Sequence, residues 1–391
     1  MERRTAGKFF SVILSAAALA VSGIACGGGA YAADPIKVGA VSSLTGPMNW
    51  PESTAIARAV FDRVNAQGGI DGRKIEYIVE DDKFDPAVSG AAAHRLVDDQ
   101  GVVALVGSAS VMECAVNAKY YISRNIVSIP GTGIDPICFR TPNIAPVNTG
   151  PYLGIAVSLY YAATTLKLDH LCAFSPAVPS GKSGTDAAMA LVKRLTGQTL
   201  VIDDRTVQGG DDLTQFVLKA QRGGCKAVLY AGNEPQVIAW MRAVKAQNVT
   251  GITWLMLTSA YTDKVAQVLG ADGEGLYANS EFEPYLSASP ALDDWKAVSK
   301  EAKLPLSSFS EGGYLSATIL VHVLKGIKGP ITRDSVTAAF RALTDYKTPM
   351  LGAPFVFGPG KVHQPNRSSK MLQLHHGKWE VVTPQFVTLP N

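Results

Sequence analysis

A glycine-lysine-serine run, Gly181-Lys182-Ser183, lies between a predicted strand and a predicted helix, where a phosphate-binding P-loop would stand. The P-loop motif requires a glycine at the start of the run, and Pro176 occupies that position. Proline has no backbone N–H to offer a phosphate group. We therefore interpret this run as a loop at a helix N-terminus and predict no nucleotide hydrolysis.

Other catalytic patterns are incomplete in the sequence. The run Gly107-Ser108-Ala109-Ser110-Val111 lacks the second glycine of a nucleophile elbow, and no GxGxxG dinucleotide fingerprint opens a helix. The neighbouring His375 and His376 would point to opposite sides of a strand, so a shared metal ion is not expected. The sequence therefore predicts a protein that is not an enzyme and needs no cofactor or metal.

Small hydroxyl residues and glycines cluster after the predicted strands of the N-terminal half. They are Ser42, Ser43 and Thr45 after the first strand, Ser108 and Ser110 after the third, and Gly131, Thr132 and Gly133 after the fourth. In open α/β sheets ligands bind at the carboxyl ends of strands, so these groups would converge on one crevice that suits a polar or anionic ligand. The simpler interpretation, that such residues are common in strand-to-helix turns, stays open for any single one.

The elements that would position this crevice alternate between strands and helices. Strand-like apolar runs and segments of helical periodicity follow one another from Ile36 to Ile129, stop at a loop rich in Pro, Asn and Thr (142–151), and start afresh from Tyr152. The alternation predicts an α/β fold of doubly wound parallel sheets. Its restart predicts two lobes.

The N-terminus has the order of a secretory signal. Arg3, Arg4 and Lys8 precede an apolar stretch (9–21), and Ala30-Tyr31-Ala32 offers a cleavage site, so residues 1–32 are predicted to be a signal peptide and the mature protein to be periplasmic. A lipoprotein-type cleavage before Cys26 is the less favoured alternative, because Gly23 stands where such sites usually carry Leu. The net charge of +3 is close to neutral, which argues against a nucleic-acid partner.

Four cysteines follow the predicted signal peptide: Cys114, Cys138, Cys172 and Cys225. An even number in an oxidising compartment predicts two disulfides. Four cysteines allow three pairings, and their spacing does not choose among them. Buried free thiols are the alternative interpretation.

The order and spacing of several short segments resemble those of the type I periplasmic solute-binding proteins of the branched-chain amino acid transport group. The segments are Ile36-Lys37-Val38-Gly39, Leu44-Thr45-Gly46-Pro47, Asn65 to Lys74, Asp81-Asp82 with Asp85-Pro86, Val106-Gly107-Ser108, Ile129-Pro130-Gly131-Thr132, and the region from Phe355 to Val382. The resemblance implies two doubly wound parallel-sheet lobes joined by three crossovers, near 147–150, 278–282 and 352–355. The implied first lobe comprises 33–148 and 281–352, and the implied second lobe comprises 149–280 and 353–391.

The resemblance also implies a set of ligand contacts. Trp50 would form an aromatic wall, Ser108, Ser110, Gly131, Thr132 and Gly133 would hold a carboxylate, and Asn233 and Ser259 would contribute from the second lobe. In amino-acid binders the position of Ser259 is typically acidic and pairs with the ligand's ammonium group. Glu234, Glu281 or Glu283 could compensate for this departure.

A buried ammonium group without a carboxylate partner is costly. We therefore predict that the ligand is a carboxylate or an amide with an apolar or aromatic body, and that branched-chain or other amino acids are the alternative. The implied partner is the membrane permease of an ABC transporter. A periplasmic ligand sensor is the alternative class of function.

Overall fold

The computed structural model describes residues 34–363 and 366–390. The predicted signal peptide and the alternative cleavage site at Cys26 lie outside these residues. Within the described part of the chain, no helix is long and apolar enough to cross a membrane.

The first lobe is built on a four-stranded parallel sheet with the strand order β2-β1-β3-β5. A short parallel pair, β4 and β6, extends beyond β3 and β5 and sets Ala109 beside Thr132 and Ser110 beside Gly133. The strands are β1 (Ile36–Ser42), β2 (Ile75–Asp81), β3 (Leu105–Val106), β4 (Ala109–Ser110), β5 (Ser128–Ile129) and β6 (Thr132–Gly133).

The second lobe is built on an eight-stranded sheet with the order β13-β12-β11-β10-β9-β7-β8, in which β14 also pairs with β12. The strands from β7 to β11 are parallel, and the C-terminal strands β12 to β14 join them in antiparallel fashion. The strands are β7 (Leu171–Pro176), β8 (Ile202–Val207), β9 (Ala227–Tyr230), β10 (Thr253–Met256), β11 (Tyr277–Ser280), β12 (Ser368–His375), β13 (Lys378–Val381) and β14 (Val387–Thr388).

Helices cover the faces of both sheets. The helices are α1 (Pro51–Ala66), α2 (Pro86–His94), α3 (Met112–Ser123), α4 (Pro151–Thr164), α5 (Lys182–Thr196), α6 (Thr214–Arg222), α7 (Glu234–Ala246), α8 (Asp263–Leu269), α9 (Asp293–Glu301), α10 (Ser308–Gly326) and α11 (Arg333–Ala342). The doubly wound character predicted from the alternation is confirmed.

Local chemistry accounts for where these elements begin and which faces they bury. In β1, Ile36, Val38, Ala40 and Val41 are each at most 1% exposed, as expected for a parallel strand that is covered on both faces. Helix α2 begins after Asp85, whose side chain accepts hydrogen bonds from two backbone N–H groups of the first turn. The same pattern of apolar runs and polar caps therefore fixes both the core and the helix ends.

The crossovers between the lobes meet at Glu281. The Nδ2 group of Asn148, in the first crossover, lies 3.2 Å from Oε1 of Glu281, and the backbone N–H of Gly150 donates to the same oxygen at 2.6 Å. The side chain of Asn366 donates to the backbone carbonyl of Glu281 at 2.8 Å. Glu281, in the second crossover, therefore binds both the first crossover and the segment at Asn366.

The segment that ends at His363 contacts the first lobe, and the third crossover near 352–355 implied by the resemblance stays a prediction. Nδ1 of His363 lies 2.9 Å from the carbonyl oxygen of Thr141, in a segment that packs on the first lobe. The ring of Phe357 is 1% exposed and stands 4.7 Å from the imidazole of His363. This aromatic burial holds Phe357 and His363 together beside the first lobe. The implied lobe boundaries likewise remain a prediction.

The structure joins Cys114 to Cys138 and Cys172 to Cys225. The first disulfide ties α3 to the turn that follows β6, within the first lobe. The second ties the start of β7 to the residues before β9, two strands that are neighbours in the second sheet. This is one of the three pairings that the sequence left open.

Helices α1 and α10 pack with backbone contact at Gly313. A Cβ atom at this position would lie 2.0 Å from the carbonyl oxygen of Ser53. We expect Gly313→Ala to lower the free energy of unfolding by about 1 to 3 kcal/mol, because the helices must separate. Gly326→Ala is the matched control in the same helix, since a Cβ there meets nothing within 4 Å. Equal stability of the two variants in urea denaturation would contradict the close approach.

Candidate ligand-binding cleft

A cleft opens at the carboxyl ends of the strands, between the two lobes. It has two adjoining parts of about 380 and 130 Å³, which share Trp50, Ile134, Pro151, Leu257 and Ser259 in their walls. Apolar walls also come from Met48, Val111, Tyr152, Ile155, Pro176, Val178, Ala231 and Phe309. The combined space is that of a small-molecule site.

One wall of the cleft consists of two aromatic rings. The indole of Trp50, which stands immediately before α1, stacks on the ring of Phe309 in the first turn of α10, with centroids 5.3 Å apart and planes 24° from parallel. Both side chains are half-buried. The stacked pair presents a rigid apolar surface to whatever occupies the cleft.

Five of the eight predicted contact residues line the cleft. Besides Trp50, they are Thr132, Gly133, Asn233 and Ser259. Asn233 also caps α7, because its side chain accepts from the backbone N–H of Gln236 at 3.1 Å. The hydroxyl of Ser259 donates to the carbonyl of Gly232 at 2.7 Å.

The other three predicted residues serve the interior of the first lobe. The hydroxyl of Ser110 donates to the carboxylate of Asp82, and that of Ser108 donates to Glu113. A Cβ at Gly131 would lie 2.7 Å from the backbone nitrogen of Gly313 and from the hydroxyl of Ser53, so this glycine permits close packing of the strand end against α10 and α1. Both serines are at most 2% exposed.

A buried polar network underlies these serines. Asp82, 0% exposed, also accepts from the hydroxyl of Ser43 at 2.8 Å, and Glu113, 1% exposed, accepts from the hydroxyl of Ser128 at 2.8 Å. Burial raises the pKa of Glu113 to about 7, against the opposing effect of its hydroxyl donors. The network rigidifies the strand ends that form one side of the cleft.

The three carboxylates considered as replacements for an acidic residue at Ser259 have different environments. Glu234 pairs with Lys264 at 2.8 Å on the surface of the second lobe. Glu283 forms a buried ion pair with Lys370 at 2.7 Å. Glu281 alone of the three lines the cleft.

Glu281 is 8% exposed at the narrower end of the cleft. Burial raises the pKa of its carboxyl group to about 7, although the hydrogen bonds from Asn148 and Gly150 oppose this shift. Among the described residues that line the cleft, it is the one acidic side chain, and no Lys, Arg or His side chain accompanies it.

The sequence matches a family model described as periplasmic binding protein over residues 35–378. The chain belongs to the periplasmic binding protein family. The match spans both lobes, so the resemblance to type I solute-binding proteins of the branched-chain amino acid group is confirmed. This family is one of solute-binding proteins, and not of enzymes.

Relatives of this periplasmic binding protein include the leucine-, isoleucine-, valine-, threonine-, and alanine-binding protein of Pseudomonas aeruginosa, 23% identical over 349 residues, which cover 85% of this chain and 88% of the relative. A branched-chain amino acid transporter substrate-binding protein from Streptococcus pneumoniae, solved in complex with isoleucine, superposes with a TM-score of 0.74 and 18% identity over 90% of this chain and 100% of that one. A fatty acid ABC transporter substrate-binding protein from Thermomonospora curvata reaches 0.75 and 19% identity over 90% and 92%. These structures share the two-lobed fold.

Sequence reasoning missed Phe309 as a wall of the binding protein's cleft. The residue lies far along the chain from Trp50, and its signal, an aromatic residue in the first turn of a helix, is common in protein cores. Among residues 34–363 and 366–390, no group of three or more His, Cys, Asp or Glu side chains is placed to hold a metal ion.

Proposed function

We propose that this protein captures a small molecule between its lobes in the periplasm and delivers it to the membrane permease of an ABC transporter. The ligand is a carboxylate or an amide with an apolar or aromatic body. The carrying observation is the composition of the cleft, whose walls are mainly apolar and include the stacked rings of Trp50 and Phe309. Closure of the lobes about the crossovers buries the ligand and creates the form that docks on the permease.

The absence of a charged pair at the cleft favours this ligand class over a free α-amino acid. A zwitterion buried between the lobes needs partners for both its ammonium and its carboxylate group. Ser259 supplies neither charge, and no cationic side chain lines the described cleft.

Branched-chain or other amino acids are the second candidate. The Pseudomonas relative is named for five amino acids, and the Streptococcus structure holds isoleucine. The carboxylate of Glu281 at the cleft could serve an ammonium group. A ligand sensor that signals to a partner protein is the alternative use of the same binding event.

A thermal-shift screen separates these candidates. Aromatic acids, aromatic amides, fatty acids and the standard amino acids are tested one by one at equal concentration, because a ligand that binds only the folded state raises the melting temperature. We expect the strongest stabilisation from a compound with an aromatic or apolar body and a single polar head. Strong stabilisation by leucine, with none from any of the aromatic compounds, would contradict this ligand class.

Replacing Trp50 tests the aromatic wall. We expect Trp50→Ala to weaken binding of the compound found in that screen by about 1 to 3 kcal/mol, which is about 5- to 150-fold in Kd, because the stacking surface is lost. Isothermal titration calorimetry measures the change. Trp50→Phe keeps an aromatic face and should retain most of the affinity. An unchanged Kd in Trp50→Ala would show that Trp50 does not contribute to ligand binding.

A further inference from the structure

Several polar groups that line the cleft donate their hydrogen bonds to the protein itself. The backbone N–H of Thr132 donates to a carbonyl oxygen at 3.1 Å, and that of Gly133 donates to Oδ1 of Asn148 at 2.9 Å. The hydroxyl of Ser259 donates to Gly232 at 2.7 Å. Each of these three donors already has an acceptor within the protein, which leaves it less available to a ligand carboxylate.

One carboxylate oxygen in the same region of the cleft can still accept a hydrogen bond. Oε1 of Glu281 receives hydrogen bonds from Gly150 and Asn148, whereas Oε2 has a single long contact, 3.4 Å from the Nδ2 group of Asn148. A carboxylate offers about four lone-pair sites. Oε2 therefore retains capacity to accept from a group in the cleft.

The charge of the cleft also disfavours a ligand carboxylate. When Glu281 is ionised, a ligand carboxylate at this end of the cleft would approach it without a cation from the described lining residues to balance the two charges. Burial of two like charges without a partner is strongly unfavourable. A ligand head that donates hydrogen bonds meets no such penalty.

We propose that Glu281 is the ligand's polar anchor and that the head it receives is a hydrogen-bond donor, a primary amide or an ammonium group, rather than a carboxylate. The inference rests on the proposed function: it keeps the amide of that ligand class, excludes the carboxylate and adds an ammonium head. Glu281 lies in the second crossover and binds the first crossover and Asn366, so an occupied anchor connects the ligand directly to segments that link the lobes.

The test compares ligands that differ only at the head. Phenylacetamide, phenylacetate and 2-phenylethylamine are titrated into the wild-type protein by calorimetry, together with leucine. We expect the amide or the amine to bind at least tenfold more tightly than the acid. This comparison requires no variant, so it does not depend on the folding of a mutant.

The variant Glu281→Gln exchanges an acceptor for a donor at nearly constant shape. We expect it to weaken the amide and the amine at least tenfold and to strengthen the acid, so that the order of affinities reverses. Glu234→Gln is the matched control, because Glu234 is committed to Lys264 and to the hydroxyl of Thr262 at 2.7 Å. It should leave all affinities unchanged. Thermal unfolding verifies that both variants are folded.

Tighter binding of phenylacetate than of the other two aromatic probes would overturn the inference, and so would an unchanged ratio of acid to amide affinity in Glu281→Gln. If only leucine binds, the proposed aromatic ligand class is wrong. In that case a tenfold loss of leucine affinity in Glu281→Gln supports Glu281 as the anchor, and an unchanged leucine affinity overturns that role. Binding of none of the four probes contradicts both the ligand class and the anchor.

Discussion

Replacing both cysteines of the second lobe, Cys172→Ala with Cys225→Ala, is expected to lower the free energy of unfolding by about 4 kcal/mol. The disulfide joins residues 53 positions apart, and a cross-link over a loop of this length removes that much chain entropy from the unfolded state. Both half-cystines are at most 2% exposed at the amino ends of their strands, away from the ligand cleft. Ligand affinity should therefore stay unchanged while stability falls.

Urea denaturation of the oxidised proteins measures this loss. The double replacement of Cys114 and Cys138 by alanine is the matched comparison, with an expected loss of about 3.5 kcal/mol because the closed loop spans 24 positions. Reduction of the wild-type protein should cost at least as much as either double variant. Wild-type stability in the Cys172/Cys225 variant would show that this bond does not constrain the chain.

Stability is expected to fall as the pH rises from about 5 to 8, and Glu113 should account for a large part of the fall. Its folded-state pKa of about 7 lies above the ordinary value of 4.5, so the folded protein holds this proton more tightly than the unfolded chain does. The resulting stabilisation is complete below pH 4.5 and is lost as the pH rises through 7. The difference corresponds to about 3 kcal/mol.

Glu113→Gln keeps the shape of the side chain and removes the proton equilibrium. Urea denaturation at pH 5, 6, 7 and 8 should show a stability profile that is flatter than that of the wild type by about 3 kcal/mol. Burial also raises the pKa of Glu281 to about 7 and that of Glu311 well above its ordinary range, so a residual decline is expected in this variant. Glu76→Gln, at an exposed carboxylate, is the control. Parallel profiles for wild type and Glu113→Gln would contradict the buried proton.

The fold class was predictable because it depends on local periodicity. Strands that are buried on both faces, such as β1, read as continuous apolar runs, and the loop before α4 marks the restart of the alternation in the second lobe. The contact of Phe357 with His363 was not predictable from local periodicity, since it forms only when the fold brings the two rings together.

The candidate cleft was predictable only in part. The strand ends predicted the location of the cleft. Which partner a hydroxyl group binds depends on tertiary packing, however, and Ser108 and Ser110 donate to buried carboxylates that the sequence had not assigned to them. Phe309 reaches Trp50 only through the fold. The sequence could not show which of the three glutamates faces the cleft, because that depends on the ion pairs they form. Glu283, for example, pairs with Lys370, which lies 87 positions away.

The C-terminal strands have a consequence for the order of folding. Strand β11 pairs with β12 over Tyr277 to Ser280, and β12 in turn carries β13 and β14. Until the ribosome has released Ser368–His375, β11 is an open edge of the sheet. Such an edge is a template for pairing with other chains. Strands β12 to β14 thus complete this edge of the second sheet, and a truncation before β12 should yield an aggregating protein rather than a smaller binding protein.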